Sequence, residues 1–296
     1  MNQADPPSTE PSPETRRGRL GRHLRRVFIG AFILDLLLVW ARLIHPGWLV
    51  GDSQIAEGVL VILGVAATLA AFLGELPAQN LLLASLLIAG ISVAADSLTA
   101  KAGLPLAGGQ HAGISDVSLV WAPPLIRVFE ILNSRGLARL VLRPQRQNAN
   151  YGFWVLGLTV LLAVAFEMNL GPLATFVSGC SSGKPEYALA GWHSTSCLAL
   201  GVRALAALLT VAVVTPSLID KRPNSLTAAV GGNRDSVGLF SFWGWASSNF
   251  LFLTVATTHG LWLAAMLIAI ELLLLIALVL IAESKSGAGR VPERQQ

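Results

Sequence analysis

Charge is what this sequence has least of: Asp, Glu, Lys and Arg make up 13% of its 296 residues. Soluble domains carry about a quarter charged residues, so half that share excludes an ordinary water-facing surface. Cysteine is almost missing. The only two, Cys180 and Cys197, have no metal-ligand spacing, so no metal site is expected. A Gly-rich phosphate loop is missing too: Ala107-Gly108-Gly109 lacks the glycine spacing and has no lysine after it. There are no internal repeats, and none of the short alternating segments of a β-barrel.

What is present is apolar. Hydrophobic residues make up 53% of the chain and the mean hydropathy is +0.62. Uninterrupted apolar runs of about 17 to 23 residues predict an all-α, polytopic membrane helix bundle. About eight spans are expected, at 27–45, 56–74, 80–97, 117–133, 151–170, 197–219, 238–256 and 260–282, the fourth being the shortest. Residues 1–24 are Pro-, Ser- and Arg-rich and read as a disordered basic arm. The transmembrane domain then covers 25–283, and 284–296 reads as a disordered tail. With eight spans and the N-terminus inside, sixteen Lys and Arg fall in inside segments and two, Lys101 and Lys184, in outside loops. That asymmetry puts both termini in the cytoplasm of a multi-pass cell-membrane protein. The bilayer is then the first partner, and nucleic acid is not one. Both cysteines fall on the outer side, where a disulfide closing a loop of about 17 residues and two unpaired thiols are both open.

One basic strip, Arg135, Arg139, Arg143 and Arg146, alternates with leucines between the fourth and fifth runs. It reads either as an amphipathic turn at the headgroups or as a plain cytoplasmic loop. Ionisable residues within or at the limits of spans are Arg42, Arg127, Arg203, Asp35, Glu57, Glu75, Asp96, Glu130, Glu167 and Glu271. A charge at mid-bilayer costs at least about 2.5 kcal/mol on insertion scales, so each must pair, neutralise or face a polar cavity. Arg127 and Glu130, three apart on one helix, are expected to pair. Depth places Arg42, Asp96, Glu167 and Arg203 near the outer ends of their helices, beneath the loops that carry His111 and the Trp192-His193 pair. This outer group reads either as an acid/base site or as a set of interhelical ion pairs.

Three runs carry a resemblance: Trp121-Ala-Pro-Pro-Leu-Ile, then Ile131-Leu-Asn-Ser-Arg-Gly-Leu-Ala-Arg-Leu-Val-Leu-Arg-Pro, then Tyr151-Gly-Phe-Trp. With Ala165-Phe-Glu-Met-Asn-Leu-Gly-Pro-Leu-Ala-Thr and Val214-Thr-Pro-Ser-Leu-Ile-Asp-Lys-Arg-Pro, they make roughly the middle half of the chain resemble the carotenoid biosynthesis membrane-protein family. That family includes hydratases of acyclic carotenoid end groups. The resemblance implies catalysis by Asp96, which stands before Gly103-Leu104-Pro105, and by Glu167, with His193 as proton relay. It also implies that Arg42, Arg203, Trp192, Trp121 and Pro105 contact a carotenoid or other polyisoprenoid lipid, without any cofactor. Several family features are missing. Gly171 stands where a second acid is expected, the aromatic pair is absent from 177–182, and Ala107 to His111 replaces a tyrosine-rich segment. A non-catalytic pigment- or lipid-binding subunit of a membrane complex is therefore the alternative, with a small-solute transporter third.

Overall fold

The computed structural model describes residues 13–44, 53–73, 75–102, 122–177, 188–189, 192–193, 197–218, 234–258 and 260–288. Eight α-helices run through them: α1 (Pro13–Ile44), α2 (Ser53–Phe72), α3 (Ala78–Ala102), α4 (Ala122–Val141), α5 (Tyr151–Val177), α6 (Cys197–Val214), α7 (Arg234–Thr258) and α8 (Trp262–Ala288). Short 3-10 turns follow α4 and α6, at Arg143–Gln145 and Thr215–Leu218. The only strands among the described residues are a two-residue antiparallel pair, Ala188 opposite His193 and Leu189 opposite Trp192.

Among the described residues, four helices contain stretches long and apolar enough to cross a membrane: Ala78–Ala95, Tyr151–Leu170, Val237–Thr258 and Trp262–Lys285. Their outer faces stay greasy, with Leu273, Leu274, Leu280, Phe153 and Leu161 all exposed. Glu130, Asn133, Ser134, Glu167, Asn169 and Asn249 are instead buried. Apolar outside and polar inside is the arrangement a lipid solvent selects.

The helix at the centre is α4. Every residue from Val128 to Ala138 is buried, which covers all faces of three turns, so the helix is surrounded by protein. It packs on α2, α3, α5 and α7. Asn133 ties it to α2 by donating to Thr68 Oγ1 at 3.0 Å, and Arg135 donates to Thr215 at 3.1 Å. Against α7 the backbones approach closely through small residues. A Cβ on Gly136 would land on the Ser241 hydroxyl, and one on Gly238 would lie 3.0 Å from the Leu140 Cβ. Rings continue the core across four helices, with Phe129 6.1 Å from Phe32 and 6.2 Å from Phe166, and Phe166 edge-on to Phe252 at 5.2 Å.

Three boundaries differ from the sequence expectation. First, α1 is already helical at Pro13, inside the arm expected to be disordered, and α8 continues to Ala288. Second, α5 continues through Gly171-Pro172 to Val177. Third, the basic strip is neither a headgroup turn nor a loop along its first half. Ser134 to Val141 contains good helix formers and no proline before Pro144, so α4 carries Arg135 and Arg139 onward. Arg135 is only 8% exposed. Glu75, in the α2–α3 turn, accepts a bond from Arg139 at 3.1 Å. Because Arg139 is 35% exposed, Glu75→Gln is expected to cost no more than about 1 kcal/mol in a detergent unfolding assay.

The ends sort consistently. Glu75, Arg139 at the end of α4, Tyr151 at the start of α5 and Val237 near the start of α7 line one recess. Towards the other end of α7, Thr254 accepts a bond from Trp40 of α1 at 2.9 Å. The turn into α8 closes on Gly260, whose φ of 72° allows Leu261 N–H to reach the Ala256 carbonyl at 2.8 Å.

Candidate functional site

The first half of α4 faces the second half of α5, and there three ionisable groups meet. One Arg127 nitrogen donates to both Glu130 oxygens at 3.2 and 3.1 Å and to Glu167 Oε2 at 2.8 Å. Its second terminal nitrogen donates to Glu167 Oε1, so the guanidinium forks onto that carboxylate. The side chains of Glu130 and Glu167 are 2% and 6% exposed, and that of Arg127 is 21% exposed. The i,i+3 spacing accounts for the Glu130 contact. The Glu167 contact depends on how α4 and α5 pack.

Two residues along α5, Asn169 donates at 2.7 Å to Asn249 of α7 and at 2.6 Å to Glu271 of α8. Asn249 in turn donates to the Trp245 carbonyl at 3.0 Å. Among the described residues, Glu271 Oε1 and the Trp245 indole N–H have no hydrogen-bond partner, and neither does Asp35 Oδ2. A carboxylate–amide chain therefore links α5, α7 and α8 beside the ion cluster.

An apolar cavity of about 110 Å³ shares these walls. Phe32, Phe129, Phe166 and Phe252 line it, with Ile126 and Leu170 between them and Gly64 of α2 packed under the Phe32 and Phe129 rings. Cavities of about 150 Å³ lined by such side chains stay dry and take a benzene ring, so this one suits the branched end of a hydrocarbon chain. Ile126 and Phe129 flank Arg127 on α4, and Phe166 precedes Glu167 on α5. Towards the end of α4, past the expected limit of the fourth span, burial and then the neighbouring Arg139 cation lower the Arg135 guanidinium to about 10. It remains a cation at neutral pH.

Of the residues singled out from sequence, Glu167 is in the cluster. Asp96, Arg42 and Arg203 belong to α3, α1 and α6, and Trp192 and His193 form the second strand. The side chains of these five lie outside the described residues, as do Trp121, Pro105, His111 and Cys180 altogether. The described cation on Glu167 is Arg127, which sequence reasoning had assigned to Glu130 alone. Asn169 and Asn249 went unnoticed. Their signal was an amide in the middle of an apolar run, which a bilayer tolerates only when it is hydrogen-bonded within the bundle.

The chain matches no family model, no curated protein and no solved structure.

Proposed function

We propose that this is an eight-span cell-membrane protein with both termini in the cytoplasm, which hydrates the end group of an acyclic carotenoid or similar polyisoprenoid. The observation that carries this reading is the Arg127–Glu130–Glu167 cluster buried in the same helices that wall an aromatic cavity. Water addition to an isolated alkene needs an apolar slot for the chain and carboxyl groups at its end. The resemblance in the middle half of the chain points to the same substrate class. The topology is supported by the meeting of Glu75, Arg139 and Val237 at one end, since these come from three segments that the arginine bias assigns to the cytoplasm.

In this mechanism Asp96 protonates the terminal double bond and leaves a tertiary carbocation. A water molecule oriented by Glu167 adds to it and loses a proton, which returns to the acid through His193. Arg127 donates to both Glu167 oxygens and so fixes the orientation of the carboxyl group that holds the water. No redox change occurs, and the product is heavier by one water.

The test is expression in cells that accumulate an acyclic carotenoid, with products identified by mass. Hydrated product from the wild-type chain, and none from Asp96→Asn or Glu167→Gln, is the expected result. Unchanged product from Asp96→Asn removes that residue from the mechanism. A second reading, a pigment- or lipid-holding subunit of a membrane complex, draws on the closed fork between Arg127 and Glu167, a geometry typical of structural ion pairs. Bound pigment with no hydrated product from the wild-type chain would establish that reading instead.

A further inference from the structure

The aromatic cavity has one polar side chain among its described lining residues. Ser248 of α7 stands in a wall that is otherwise apolar, next to Leu251 and Phe252 and with Phe32, Ile126 and Leu170 brought in by α1, α4 and α5. A hydroxyl in such a wall is costly unless something bonds it. Its own helix does so only in competition. The Ser248 hydroxyl donates to the Gly244 carbonyl at 2.9 Å, and the Ser247 hydroxyl donates to the same oxygen at 3.1 Å. The helical ladder directs the Ser248 backbone N–H to that carbonyl as well. Three donors share two lone pairs, so one hydroxyl is released with little loss. Whichever hydroxyl keeps the carbonyl, the Ser248 oxygen has lone pairs left for a donor. The next amide along α7 is already engaged, because Asn249 accepts from Asn169 and donates to the Trp245 carbonyl.

We propose that the cavity takes a branched isoprenoid end that carries a hydroxyl group, and that Ser248 is the residue that selects it over the bare hydrocarbon. The proposal rests on the reading that this cavity holds the end of the chain, and it does not depend on hydration. An alcohol both donates and accepts, so it pairs with Ser248 whichever way the serine proton points. A hydrocarbon does neither, and leaves Ser248 as it stands. A charged end group would have to give up its water against phenylalanine and leucine, which one serine does not offset. In the hydratase reading the alcohol is the product, and in the pigment-holding reading it is the ligand itself.

The experiment uses the full chain in phosphatidylcholine nanodiscs and two radiolabelled probes: phytane, a saturated branched isoprenoid hydrocarbon, and its tertiary alcohol. Empty nanodiscs give the lipid background for each probe. The wild-type chain is expected to retain the alcohol about fivefold better than phytane, the effect of one net hydrogen bond. Ser248→Ala should bring that ratio to about one without lowering phytane retention. Ser247→Ala, which removes the competing hydroxyl from outside the described lining, should keep the wild-type ratio. Leu251→Trp fills the cavity and should lose both probes. Equal retention of the two probes by the wild type, or a preference that survives Ser248→Ala, would overturn the proposal. So would full retention of both probes by Leu251→Trp, because the ligand would then lie elsewhere. Phytane has no double bond to hydrate, so a chain that makes no hydrated product in cells still gives a readable ratio here. A wild-type melting curve for Ser248→Ala separates the lost contact from a lost fold.

Discussion

Replacing Arg127 with Met is expected to destabilise the protein by about 3–5 kcal/mol, more than any other single change in the polar core. The substitution leaves Glu130 and Glu167, 2% and 6% exposed, without the one cation that the described structure gives them. Two carboxylates facing each other in an apolar bundle repel, and neither can recover the water it gave up on folding. The whole trio behaves differently. Exchanging a buried ion cluster for apolar groups of similar volume is often neutral or stabilising by about 1–4 kcal/mol. Arg127→Met/Glu130→Leu/Glu167→Leu should therefore recover much of what the single change loses, while making no hydrated product. Unfolding in mixed micelles, followed by circular dichroism for the two variants and the wild type, measures both effects. A single variant within 1 kcal/mol of wild type would mean that solvent reaches the cluster. Recovery in the triple variant without product would show that the cluster serves chemistry at the expense of stability.

Apolar runs were enough to place α3, α5, α7 and α8, because hydropathy measures a helix against lipid and these four helices keep long apolar stretches with exposed apolar faces. The run that opens at Tyr151 begins where the sequence placed it, and α5 carries on past Leu170 to Val177. The helix α4 was legible only in part, for the same physical reason. Its neighbours are α2, α3, α5 and α7, so polar residues that would be costly in a bilayer find partners on adjacent helices. A scale that scores Glu130, Asn133, Ser134 and Arg135 as unfavourable shortens the helix and turns its basic end into a loop. The pair Arg127–Glu130 could be read from spacing, since three residues along a helix is a local distance. Arg127 and Glu167 are forty residues apart. With Arg42, Arg127 and Arg203 all inside spans, sequence alone had no means of choosing among them.

Gly136→Ala is the second large effect, and it tests how closely α4 and α7 approach. An added Cβ falls on the Ser241 hydroxyl and lies 2.7 Å from the Ser241 Cβ, so the neighbour cannot escape by turning its side chain. Backbones must separate, at a cost of about 1–3 kcal/mol for overpacking a buried seam. The helix propensity of alanine offsets up to about 1 kcal/mol of this. Ser241 supplies the control. Its hydroxyl is fully buried and has no hydrogen-bond partner among the described residues, so Ser241→Ala alone is expected to stabilise by about 1 kcal/mol. It should do little for Gly136→Ala, because the Cβ remains. Ser241→Gly removes that Cβ, and the pair Gly136→Ala/Ser241→Gly should be more stable than the sum of its single changes by about 1–2 kcal/mol. A neutral Gly136→Ala would mean that α4 and α7 do not meet closely at this seam. The seam also bears on the site. Asn133 lies between Gly136 and Glu130 on α4, with its side-chain oxygen 3.3 Å from where a Cβ on Gly244 of α7 would sit. A shift of α4 away from α7 thus carries Glu130 and Arg127 with it relative to Glu167. If the chain is the hydratase proposed above, product formation in Gly136→Ala falls even at temperatures where the variant is fully folded, and Ser241→Gly restores it together with stability.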